Sequence, residues 1–98
     1  MMDKAEFDRQ LSQLRDQIDE VDSELVELLV KRRKITTKVG ALKSEVGMPI
    51  YAPDREAALL EKRRAQAEQS GLSADLIEDI LRRLMRDSYV SQDASGYR

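Results

Sequence analysis

Cysteine and histidine are both missing from the 98-residue sequence. Disulfides, thiolate nucleophiles, imidazole acid–base pairs and the usual transition-metal ligand sets are thereby excluded. Carboxylates, cations, hydroxyls and amides remain. Proline occurs twice and glycine four times, which argues against a turn-rich sandwich and against disorder. The four aromatics, Phe7, Tyr51, Tyr89 and Tyr97, are scattered and offer no base-stacking platform. Long apolar runs are also lacking. The longest are short stretches such as Leu28 to Val30, and the opening MMDKAEFDRQ is charged, so neither a membrane span nor a secretory signal is expected. The expected location is cytoplasmic. Finally, neither sign of charge is in large excess: 17 Lys and Arg face 19 Asp and Glu, a net charge of -2. Such a chain has no field to gather a polyanion, and nucleic acid is not an expected partner.

What is present suits helices with ion-paired surfaces: 41% hydrophobic and 37% charged residues in a length that allows one domain. From Phe7 the apolar residues fall at Leu11, Leu14, Ile18, Val21, Leu25 and Leu28, then at Ile35, Val39, Leu42 and Val46. The spacing alternates four and three, a sustained heptad seam that predicts one helix over about residues 5–45. A helix of ~40 residues is ~60 Å long at 1.5 Å per residue, whereas a compact domain of this size has a radius of gyration of ~13 Å. One chain cannot cover it. The seam therefore predicts an intertwined homodimer built around two copies of the helix. A helix broken near Gly40 is the alternative.

GMPIYAP, residues 47–53, holds both prolines and one glycine and predicts a turn that ends the long helix. A second helix is expected over 54–69, stopping at Ser70 and Gly71, where glycine can take the left-handed cap. Ser73 is the expected cap of a third helix over 73–92, with Asp75 in its first turn. That helix presents Leu76, Ile77, Ile80, Leu81, Leu84 and Met85 at helical spacing as its buried face. Residues 93–98 read as a frayed tail or linker. The fold class is all-α: a long first helix and two shorter ones.

Several polar residues interrupt these stripes. Arg32 stands where the rhythm between Leu28 and Ile35 calls for an apolar side chain, and a buried guanidinium needs an anion or a set of acceptors. It serves either a bound anion or an interhelical ion pair that sets the register. Lys43 lies eleven residues on, about 20° around the helix and ~16 Å along it, so the two cations can converge on one molecule; solvation at the helix end is the alternative. Arg15 points about 100° away from Arg32 and suits a partner chain's site. Arg55 and Glu56 sit in the first turn of the second helix, where a cation is mildly unfavourable. Arg55 thus indicates a local anion or a surface pair with Asp54 or Glu56. Ser88 and Gln92 continue the stripe of Leu81 and Leu84 with hydrogen-bonding groups, either a polar end to the core or a solvated last turn.

The segments LRDQIDEVD, LLVKRR, VGALKSEVGMPIYAPDRE and LIEDILRRLMRDSYVSQ together resemble the all-helical class of chorismate mutases over nearly the whole chain. The likeness is greatest to the mutase domain at the N-terminus of the bifunctional chorismate mutase/prephenate dehydrogenases. It implies conversion of chorismate to prephenate by a pericyclic rearrangement in phenylalanine and tyrosine biosynthesis, in a homodimer with shared active sites and without a cofactor or metal. The resemblance assigns chorismate's two carboxylates to Arg15 of one subunit and Arg32 and Arg55 of the other, with Ser88 supporting one of them. Lys43 and Gln92 would flank the ether oxygen, and Glu56 would accept from the substrate hydroxyl. In the mutase domains fused to prephenate dehydratase an aspartate of the turn also meets the hydroxyl region; the matching residue here is Ala52, which carries no such role. The tail SGYR resembles the junction before a prephenate dehydrogenase domain, a further expected partner, and no glycine-rich dinucleotide fingerprint follows it. A helical dimerisation or regulatory module without chemistry is the competing reading.

Overall fold

A computed structural model describes residues 1–94 and is all-helical there: α1 (Lys4–Val46), α2 (Pro53–Gln69) and α3 (Ala74–Ala94). The chain divides into two compact units, the first covering Met1–Arg32 and the second beginning at Arg33. No helix among the described residues is long and apolar enough to cross a membrane.

In the first unit, Asp3 opens α1. Its Oδ1 accepts from the Glu6 backbone N–H at 2.8 Å, which satisfies one of the donors left over at a helix start. Along the rest of this unit the seam residues Leu14, Ile18, Val21, Leu25 and Leu28 lie exposed on the surface of the chain. The heptad spacing is therefore a real stripe with nothing of this unit to cover it.

In the second unit α1 continues unbroken through Gly40, its one buried residue, so the alternative of a break there does not hold. Glycines rather than prolines terminate the helices. Gly47, at φ +68°, lets Met48 N–H reach the Lys43 carbonyl at 2.9 Å, and Gly71, at φ +75°, lets Leu72 N–H reach the Ala67 carbonyl at 2.9 Å. Both are Schellman closures, in which a left-handed residue turns the chain back onto the last carbonyls. Pro53 occupies the first turn of α2, where its missing N–H costs nothing. Ser73 caps α3 as expected, its Oγ accepting from Leu76 N–H at 3.2 Å.

α2 and α3 pack on one another around Leu60, Ala67 and Met85. Arg64 of α2 ties the pair by bonding Asp75 and Glu78, each at 3.0 Å, and Arg82 adds a 2.8 Å bond to Glu78. Those two guanidinium groups hold the Glu78 carboxyl below its usual range, the Arg82 bond first among the causes. One expectation needs correction here: Leu76 and Ile80 are exposed rather than buried. The apolar stripe of α3 is wider than the surface α2 covers, so its outer edge stays uncovered within the chain.

Candidate active site

Lys43 stands in the last turn of α1 and is half-buried. Its Nζ donates to the carbonyl oxygen of Ile50 at 2.8 Å. The same residue's backbone carbonyl takes the Met48 N–H, so the turn after α1 is held to Lys43 by both main chain and side chain. An ammonium has three N–H donors, and the Ile50 bond leaves two for another acceptor. The sequence-level alternative, a lysine extended into solvent, is not what is found.

On α3 the apolar stripe gives way to Ser88, Ser91 and Gln92, all buried. Ser88 Oγ donates to the Leu84 carbonyl at 2.9 Å. Ser91, 2% exposed, meets Thr37 Oγ1 at 2.5 Å and receives Thr36 Oγ1 at 3.4 Å. The two threonines also bond the Arg33 carbonyl, each at 3.0 Å. This hydroxyl cluster fastens α3 to the C-terminal half of α1 within the second unit. The solvated last turn considered for Ser88 and Gln92 does not occur, and α3 runs two residues past Gln92 to Ala94. The remainder of the expected tail, residues 95–98, lies outside the described residues.

Glu56 is half-buried in the first turn of α2, and its charge is felt by Tyr89 of α3. The Tyr89 ring stands edge-on to Tyr51 with centroids 5.8 Å apart and planes at 76°, the arrangement the ring quadrupoles favour. Burial pushes the Tyr89 phenol above its ordinary range. The Ala52 backbone opposes the rise, and the Glu56 charge adds to it. Arg55 is exposed, and the ion pairs among the described residues do not include it, so the surface pair with Asp54 or Glu56 is not formed.

Lys43, Arg55, Glu56, Ser88 and Gln92 thus all fall in the second unit, while Arg15, exposed, and Arg32, half-buried, belong to the first. Sequence reasoning passed over Tyr89, Thr37, Ser91 and the Ile50 carbonyl. The adjacent pair Thr36 and Thr37, beside the seam between Ile35 and Val39, was the available signal for the hydroxyl cluster.

The family model described as chorismate mutase type II matches residues 14–93. The chain belongs to this family. The matched stretch takes in every candidate position from Arg15 to Gln92. Among similar proteins, the T-protein of Haemophilus influenzae is 49% identical over 94% of this chain, and the T-protein of Enterobacter agglomerans is 52% identical over 91%. The chain spans 24% of the length of each of these two relatives. An isochorismate pyruvate lyase of Pseudomonas aeruginosa is 30% identical, with 90% of this chain matched to 85% of that protein. The resemblance to all-helical chorismate mutases is borne out.

Proposed function

We propose that this chain is a chorismate mutase domain, converting chorismate to prephenate by an intramolecular Claisen rearrangement in aromatic amino acid biosynthesis, with the tyrosine branch favoured by the likeness to T-proteins. The observation that carries the reading is the family match over residues 14–93, which includes all seven candidate site residues. In this reaction the ether C–O bond breaks as a C–C bond forms within the same molecule. No group enters or leaves, so a protein without cysteine or histidine can perform it. Its work is to hold a flexible dianion in the chair-like reactive conformer and to set positive charge where negative charge grows on the ether oxygen.

In that reading Arg15, Arg32 and Arg55 bind the two carboxylates through guanidinium forks, and Ser88 supports one of them. Lys43 and the Gln92 amide donate to the ether oxygen, and Glu56 accepts from the substrate hydroxyl. The bond from Lys43 to Ile50 and the burial of Gln92 support preorganised roles for both, because groups fixed before binding need not reorganise during the reaction.

The active species is a homodimer in which Arg15 comes from the partner subunit. The uncovered stripe Leu14, Ile18, Val21, Leu25 and Leu28 supports this reading, since a seam at heptad spacing is most economically buried by its own copy. The protein acts in the cytoplasm, residues 1–98 form one mutase domain, and a prephenate dehydrogenase domain is its C-terminal partner. Loss of chorismate absorbance on adding the purified chain tests the activity. A non-catalytic helical module leaves chorismate unchanged, and release of pyruvate from isochorismate instead would mark a lyase like the Pseudomonas relative.

A further inference from the structure

Of residues 33–46, the stretch of α1 in the second unit, Thr36, Gly40 and Lys43 are the ones not exposed. Spacings of four and three put them on one face of the helix, the face that carries Lys43. Ser91 fastens α3 at the start of that face. With the single Thr37 hydroxyl proton donated to the Arg33 carbonyl at 3.0 Å, the 2.5 Å contact between Thr37 and Ser91 takes its proton from Ser91. Thr36 Oγ1 stands 3.4 Å from the same Ser91 oxygen. The ion pair of Arg33 with Asp87 also joins the two helices, but at 3.8 Å and with both side chains near half exposed it is screened and holds little. Ser91 is 2% exposed, where water does not compete for its bond and loss of the partner strands a polar group.

Position along the helices decides what this joint governs. On α3, Gln92 is the next residue and Ser88 lies three before, and all three are buried. On α1, Lys43 lies seven residues past Thr36, two turns or ~10 Å along the same face. The hydroxyl bond therefore sets the rotation and height of α3 against α1 beside Gln92. A donor aimed at a reacting atom tolerates little error, since a misplacement of ~1 Å can cost on the order of 100-fold in rate.

We propose that Ser91 is a positioning residue, which through its bond to Thr37 holds the Gln92 amide of α3 in register with the Lys43 ammonium of α1, so that both donors meet one oxygen of the bound substrate. The proposal rests on the reading of Lys43 and Gln92 as donors to the ether oxygen. It gives Ser91 and Thr37 a role that acts through Gln92 rather than on the substrate.

A double-mutant cycle on the full chain tests it. Ser91→Ala and Thr37→Val remove the bond from opposite helices, and each is expected to lower kcat roughly tenfold, the scale of one buried hydrogen bond, with KM nearly unchanged. Thr37→Ser keeps the hydroxyl and should keep the parental rate. In a Gln92→Ala background neither Ser91→Ala nor Thr37→Val should lower the rate further. Additive losses overturn the proposal, as do parental kcat in Ser91→Ala or Thr37→Val and a Thr37→Ser enzyme as impaired as Thr37→Val. Full activity of Gln92→Ala overturns the reading of Gln92 itself, and the proposal with it. Should Ser91→Ala fail to fold, Thr37→Val, at the exposed end of the bond, carries the same cycle. A second measurement needs no turnover: in isotope-labelled NMR the Gln92 side-chain amide resonances should shift in Thr37→Val and return in Thr37→Ser, and unmoved resonances overturn the link.

Discussion

The ammonium of Lys43 lies 2.8 Å from the carbonyl oxygen of Ile50, seven residues farther along and on the far side of the Gly47 closure. A cation at the C-terminal end of a helix is favoured by the dipole, and here it also satisfies a carbonyl of the turn that no helix would pair. The side chain is therefore part of the turn before any ligand arrives.

Lys43→Met keeps the stem and removes the charge, so it separates the two uses of this side chain. Loss of the bond to Ile50 should destabilise the protein by about 1 kcal/mol, the typical net worth of one hydrogen bond. Loss of a preorganised cation beside the ether oxygen should cost ~3 kcal/mol in the transition state, on the order of 100-fold in rate. Urea unfolding alongside turnover measures both. Equal losses in the two would assign Lys43 to the turn alone.

Tyr89 makes stability fall on the alkaline side. Its folded-state pKa is raised, chiefly by burial and further by Glu56, above the ordinary tyrosine value of about 10. Below that value both states keep the proton, and the stabilisation is fully present. As pH rises the unfolded chain ionises first, and the contribution is lost as pH passes through the folded value. Tyr89→Phe should therefore show a shallower decline in unfolding free energy above about pH 10 than the parent, measured by denaturant titration at a series of alkaline pH values. Matching slopes would mean that the phenol does not titrate differently in the two states.

The extent of α1 and the position of its seam were legible because a four-three rhythm marks a helix face without reference to anything it packs on. Gly71 and Ser73 were legible as helix punctuation for the same local reason, their conformations being set by the chain on either side. The exposure of Leu76 and Ile80 was not, since burial depends on how wide a face α2 covers. Nor was the approach of Tyr89 to Glu56, which depends on the rotation of α3 relative to α2 and leaves no periodic trace. Of the candidate site, Ser88 and Gln92 emerged from polar groups in an apolar stripe, whereas the roles of Arg15 and Arg55 rest on family likeness.

Arg15 and Arg32 are assigned to opposite subunits of one site, and complementation should reveal this. A dimer of one Arg15→Ala chain and one Arg32→Ala chain has one site carrying both defects and one carrying neither. Mixing and exchanging the two inactive parents should then restore activity in part. If exchanged mixtures remain as inactive as the parents, the shared site is wrong. Arg32→Ala should also lose far more activity than stability, since an apolar-compatible seam position remains; a large fall in unfolding free energy would instead mark Arg32 as a structural ion-pair residue.

Gln92 offers the sharpest test of the third helix's part in the chemistry, because its amide donates at any ordinary pH and does not ionise. Glutamate at this position keeps the shape but donates only when protonated. A model glutamate has a pKa of about 4.3; at a side chain only 5% exposed, desolvation raises it, and the Lys43 ammonium assigned to the same oxygen lowers it. The ionised carboxylate would set a negative charge against an oxygen that is itself becoming negative, whereas the acid donates as the amide does. Gln92→Glu should therefore be active at acid pH and lose activity as pH rises through the pKa of the new group, while the parent stays comparatively flat. Where desolvation outweighs Lys43 and the folded value is raised, stability falls in that direction too, being fully present below the unfolded value and lost as pH rises through the folded one. Unfolding curves at each pH must accordingly accompany the turnover measurements. Parallel pH profiles in two proteins that remain folded would mean that Gln92 does not touch the breaking bond, and α3 would then contribute to the site only through its packing.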